Sequence, residues 1–164
     1  MPVNGDRFMG VDLTLGETRP SACAVLDADG ALDHLAMLNA DSDIAALAHV
    51  KGVSAVGIDS PLGLPKGMCC LEEDCGCRSV HPFKGRVCER ELLARGIALY
   101  VTTKRSFIKP MIYRAIGLAE TLAASGCRVL EVYPYAAKWP SSAGPFPPRP
   151  PGRAWPFSAA GWGG

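Results

Sequence analysis

No stretch of this 164-residue chain approaches the roughly 18 consecutive apolar residues of a membrane span. The N-terminus has no basic region followed by an apolar core, so no secretory leader is expected and the cytoplasm is the default location. A formal net charge of +1 gives no bulk electrostatic pull towards nucleic acid, although a local basic face remains compatible with it. Histidine is scarce, and His34 and His49 read as ordinary side chains. No tryptophan precedes Trp139, and no acidic residue follows it. There is no internal repeat. What remains is the composition of one domain with a real core.

Against that background three acids stand out. Gly10-Val11-Asp12-Leu13-Thr14 and Gly57-Ile58-Asp59-Ser60-Pro61 each end an apolar, β-branched run in an aspartate. A carboxylate there sits at the mouth of a buried strand, within reach of solvent and substrate. Val129-Leu130-Glu131-Val132-Tyr133-Pro134 places a glutamate inside a third such run. Taken singly, each is an ordinary strand-end residue. Together they suggest a carboxylate cluster able to hold a divalent cation.

The remaining pattern gives an order of elements. Strands are expected over 8–14, 21–27 and 32–38, the last two joined at the Asp27-Ala28-Asp29-Gly30 turn. Asp41-Ser42-Asp43 offers N-caps for a helix carrying Ile44, Leu47, Ala48 and Val50, which Gly52 stops. Val53 to Ile58 is a compact strand. Residues 60–86 form a long Pro-, Gly- and Cys-rich insertion, and loops of such length are usually functional or metal-stapled. Helices follow over 87–95 and 111–124, the second with a stripe of Met111, Ala115, Leu118, Ala119 and Leu122. A strand over 127–133 comes last. The fold class is therefore α/β, a mixed sheet with helices on its faces.

A reducing cytosol would keep the seven cysteines as thiols or metal ligands. Cys69, Cys70, Cys75 and Cys77 crowd into nine residues, with Cys88 beyond His81. Such a cluster resembles a structural zinc site, though not one of the common finger spacings. Adjacent cysteines seldom both reach one ion. The expected ligands are one of Cys69 or Cys70, then Cys75, Cys77 and Cys88; the alternative is free thiols. Cys23 and Cys127 lie in strands and read as core residues. The run Thr102-Thr103-Lys104-Arg105-Ser106 leads into a helix, and its hydroxyls and cations suit a phosphate, with Thr103, Lys104 and Arg105 as contacts. The alternative is a solvated basic loop. Glu89 and Arg90 read as surface residues.

The motifs Gly-Val-Asp-Leu-Thr, Gly-Ile-Asp-Ser-Pro-Leu-Gly-Leu-Pro, Cys88-Glu89-Arg90-Glu91-Leu92 with Arg95-Gly96-Ile97, and Leu-Glu-Val-Tyr-Pro-Tyr resemble the family of predicted RNase H-like nucleases called domain of unknown function 429. The likeness runs over about residues 8–138. It implies an RNase H-like fold whose Asp12 and Asp59 hold Mg2+ or Mn2+, with Glu131 as the third acid. The activity it implies is metal-dependent hydrolysis of phosphodiester bonds in nucleic acid. The alternative is a non-catalytic, zinc-stapled module of the same fold that binds nucleic acid or a partner. Gly10 to Thr14 with Gly16 also resembles the phosphate-binding hairpin of actin-like ATPases, which makes Thr14 a further phosphate contact; otherwise it finishes a strand.

Domain organisation follows: residues 1–138 form the RNase H-like unit, and 139–164 a Pro/Trp-rich tail. Seven of the fourteen prolines fall in that tail. Pro147-Pro148-Arg149-Pro150-Pro151 continues neither sheet nor helix, so an extended or disordered segment is expected. The abrupt change after Glu-Val-Tyr-Pro-Tyr suggests a frame-shifted or truncated reading of a longer gene, with a native proline-rich tail as the alternative.

Overall fold

The computed structural model describes residues 6–137; the Pro/Trp-rich tail lies outside them. Five strands and four helices follow one another as β1 (Arg7–Asp12), β2 (Ser21–Leu26), β3 (Leu32–Leu38), α1 (Asp41–Val50), β4 (Val53–Ile58), α2 (Val87–Ala94), α3 (Lys109–Ala124), β5 (Arg128–Glu131) and α4 (Pro134–Ala137). The strands form one sheet in the order β3-β2-β1-β4-β5. β2 runs antiparallel to both β1 and β3, whereas β1, β4 and β5 are parallel. The expected mixed sheet with flanking helices is present.

Local chemistry accounts for the joints. Asp27 closes the β2–β3 hairpin by accepting the Asp29 and Ala31 N–H groups at 3.0 and 2.9 Å. Gly30 takes the left-handed conformation that turn needs, with φ +81°. The N-cap of α1 is Ala40 rather than an aspartate. Asp41 and Asp43 instead lie in its first turn, where they favour the helix dipole. Asp41 also takes a bond from Arg114 Nε at 2.7 Å, which ties α1 to α3.

Alternation along the strands builds one core face. Met9, Val11, Cys23, Val25, Val56 and Ile58 pack beneath Ile44 and Ala48 of α1 and Ala115, Leu118 and Leu122 of α3. Cys23 is core, as expected. A second cluster joins Leu71 of the insertion to Ile108 and Ile112 at the start of α3. Helix α3 begins two residues earlier than the Met111 stripe suggests, with Pro110 in its first turn. Strand β1 ends at Asp12 rather than Thr14: the Thr14 N–H donates to the Ser21 hydroxyl at 3.2 Å instead of to a ladder carbonyl. Strand β5 stops at Glu131, and Pro134 opens the short α4. Residues 60–86 carry neither helix nor strand, as expected of the insertion.

Candidate functional site

Strands β1 and β4 are parallel neighbours with Val11 opposite Ile58. Asp12 ends β1 and Asp59 follows β4, so each is the next residue beyond that pair. The Asp59 N–H extends the ladder by donating to Val11 O at 2.9 Å. Val11 and Ile58 point into the core, so alternation turns Asp12 and Asp59 to the opposite side. Neighbouring strand backbones lie about 4.8 Å apart, so the two aspartates start from adjacent positions. Asp12 is exposed and Asp59 half-buried. Burial, and then the Asp12 charge, push the Asp59 carboxyl up to about 6. The sequence-expected pair is brought together at the carboxyl ends of parallel strands, the common ligand position in open α/β sheets.

Glu131 does not join them. It is in register with Ile58, one residue before Asp59, and alternation aims it to the other side. Its oxygens are taken: Arg86 holds both at 2.6 Å, and the Leu62 N–H donates to one of them at 2.9 Å. Burial would raise its pKa, but Arg86 and the Leu62 N–H outweigh that and hold it below the ordinary range. The expected third metal acid is instead the partner of an arginine. Asp12, Asp59 and Glu131 nevertheless line one cavity of about 390 Å3, together with Ser60, Arg86 and Glu89.

The wall of that cavity is a polar relay that the sequence reading missed. Glu89, expected on the surface, is 2 % exposed. It accepts the Arg86 N–H and Nε at 2.9 and 2.8 Å, the Thr102 N–H at 2.9 Å and the Thr102 hydroxyl at 2.5 Å. Burial works against the Arg86 charge, yet Glu131 and Glu89 raise its pKa. One physical signal in the sequence was Arg86 three residues before Glu89 at a helix start, a capping-box spacing with arginine in place of serine. Ser60 Oγ lies on the same wall, buried and without a hydrogen-bond partner.

The cysteines resolve differently from expectation. Cys69, Cys70, Cys75 and Cys77 place their sulfurs within 4.8 Å of one another, a cluster that could hold a metal such as zinc. Both adjacent cysteines take part: the Cys69 sulfur lies 3.6 Å from that of Cys75, and the Cys70 sulfur 4.0 Å from that of Cys77. Cys88, expected as a ligand, stands on α2 and lines the acid cavity instead. Contacts with the backbone of Cys70 and Cys69 pull the Cys77 thiol down to about 6, while hydrogen bonding to Cys75 and Cys77 pushes Cys69 up to about 12.

The expected phosphate contacts lie elsewhere than the carboxylates. Thr103 and Lys104 line a second cavity of about 440 Å3 beside Cys75 and Cys77. Lys104 Nζ donates to the Cys75 carbonyl. Arg105 is exposed and pairs loosely with Glu73 at 3.5 Å. The Thr14 hydroxyl is held within its own loop and also receives Arg114 at 3.1 Å.

Fold and site together define a mixed α/β protein with a paired carboxylate at its strand ends and a cysteine quartet in an insertion. No helix among the described residues is long and apolar enough to cross a membrane. No protein-family model, curated protein or solved structure matches the chain.

Proposed function

We propose that this protein is a hydrolase of phosphodiester bonds in nucleic acid, dependent on Mg2+ or Mn2+, on an RNase H-like sheet. The observation that carries the reading is the pairing of Asp12 with Asp59 at the ends of β1 and β4. Burial, and then the Asp12 charge, raise the Asp59 pKa, so part of that rise registers repulsion between the two carboxylates. A divalent cation relieves it. The donor set is all oxygen, which suits a hard cation. When bound there, the cation supplies Lewis acidity that activates water and stabilises a leaving oxygen.

The chain's own groups have separate tasks. Asp12 and Asp59 hold the cation. Arg86, fixed by Glu89, keeps Glu131 ionised and immobile on the cavity wall. Ser60 offers an unpartnered hydroxyl to whatever fills the cavity. The test is cleavage of single- and double-stranded DNA, RNA and hybrids with Mn2+ or Mg2+, using Asp59→Asn as control. Metal-dependent cleavage of at least one substrate, lost in the variant, is expected. Absence of cleavage of all of them would overturn the reading.

A second reading, a non-catalytic module stapled by zinc, is favoured by the capture of Glu131 by Arg86, which leaves two acids rather than three. It predicts zinc content and binding of nucleic acid or a partner without hydrolysis.

A further inference from the structure

We infer that Cys69, Cys70, Cys75 and Cys77 form a closed tetrathiolate zinc site that fastens the 60–86 insertion to the wall of the acid cavity. The inference does not depend on the hydrolase reading.

The geometry fits zinc. A tetrahedral ion with Zn–S near 2.3 Å separates its sulfurs by about 3.8 Å. The Cys69–Cys75 and Cys70–Cys77 sulfurs are 3.6 and 4.0 Å apart, and all four lie within 4.8 Å of one another. A disulfide needs about 2.05 Å, and all four cysteines are free. Because all four sulfurs are mutually close, the two close pairs form one cluster rather than two separate contacts. Four sulfur donors fill a tetrahedral ion, leaving no open position for chemistry; the site is structural.

The backbone around the quartet is built to hold it. The Val80 N–H donates to Lys66 O at 2.8 Å and closes residues 66–80 at their base. Gly67 makes that closure possible: it has φ +92°, and a Cβ there would fall 2.9 Å from Arg78 O and against the Val80 side chain. Between the cysteine pairs, Leu71 is fully buried against Ile108 and Ile112. The Leu71 N–H donates to Tyr113 Oη at 2.6 Å, and Tyr113 donates to Glu72 at 2.9 Å. Lys109 reaches the other Glu72 oxygen at 3.3 Å. The turn that presents the thiols is therefore anchored on α3 by groups that are not ligands.

The same anchor leads to the acid cavity. Lys104 donates to the carbonyl of Cys75 and brings a cation beside the negative cluster. Two residues before it, Thr102 gives both its polar hydrogens to Glu89, Glu89 fixes Arg86, and Arg86 fixes Glu131. Loss of the metal frees the Cys75 turn and with it the hold on residues 102–104.

The test uses the full chain made with zinc supplied and purified without oxygen. Elemental analysis should find one zinc per chain. Cobalt exchanged for zinc should give the intense sulfur-to-metal charge-transfer bands of a tetrathiolate. Cys88→Ser should keep both signals, and Cys70→Ser should lose them. Should Cys70→Ser fail to fold, the cobalt spectra of wild type and Cys88→Ser decide the ligand set alone. No bound metal, paired disulfides, or a Cys88→Ser variant without metal would overturn the site. Zinc removal should also speed hydrogen exchange at the Thr102 amide at least about tenfold, and an unchanged rate there would overturn the fastening.

Discussion

At the level of single residues, the aspartates could be read in the sequence and their surroundings could not. Asp12 and Asp59 announce themselves by ending apolar runs. Glu89 gives no such signal, because a charged residue in Cys-Glu-Arg-Glu looks like a solvated helix face. Its burial is decided by Thr102 and Arg86, brought to it by the fold. Breaking a buried, hydrogen-bonded charge by removing one partner is costly, so Glu89→Ala should lose about 3 kcal/mol in urea unfolding. A loss below about 1 kcal/mol would show that the relay carries little of the fold's stability. Asp59 makes a pH prediction of its own. Its carboxyl has an ordinary value of 3.8 and stands near 6 in the folded chain. Between those values the unfolded chain has released a proton that the folded chain keeps, so stability falls as pH rises through that window. Melting curves of Asp59→Asn should lack that slope. Glu131, held low by Arg86, acts in the opposite sense and withdraws stability only as pH falls below the ordinary carboxylate range.

Elements were legible where periodicity was strong. The three N-terminal strands, α1, β4 and the α3 stripe follow from alternation and helical spacing, and the bounds of β3 and β4 match the sequence reading. Register was not legible. Glu131 and Asp59 look equivalent as strand acids, yet an offset of one residue sends them to opposite sides. Nor did spacing reveal that Cys70 rather than Cys88 completes the quartet, since that depends on the turn between the cysteine pairs. The start of α2 carries a sharper test. Gly85 has φ +84°, and a Cβ there would overlap Val101 and lie 2.5 Å from a Glu89 oxygen. Gly85→Ala should cost about 1–3 kcal/mol from backbone strain alone, with more from the displaced carboxylate. A neutral result by denaturant titration would contradict the close approach of residues 85, 89 and 101.

At the scale of the whole molecule, the two helices that pack the main core, α1 and α3, lie on one face of the sheet. Helices α1 and α3 bury the core face, while Phe8, Leu35, Met37 and Leu130 remain between 40 and 63 % exposed. The strand pattern alone gave no hint of this asymmetry, because apolar residues occupy both faces of β3. Substitution of side chains this exposed is close to neutral, so Leu35→Lys and Met37→Lys should each change unfolding free energy by less than about 0.5 kcal/mol. A larger loss would show that the face is covered in solution. The carboxylate pair lies at the rim of this open face, where Asp12 and Asp59 border both the acid cavity and the groove beside Leu35. The central claim is that this pair holds a divalent cation. Calorimetric titration with Mn2+ at pH 7, comparing wild type with Asp59→Asn and Asp12→Asn, tests it most directly. Disturbing an outer-shell partner commonly costs 10- to 100-fold, so removing a ligand should weaken binding by at least about tenfold. The account predicts one site on wild type, weakened to that extent in both folded variants, and tightening as pH passes about 6. Equal affinity in all three proteins would contradict it.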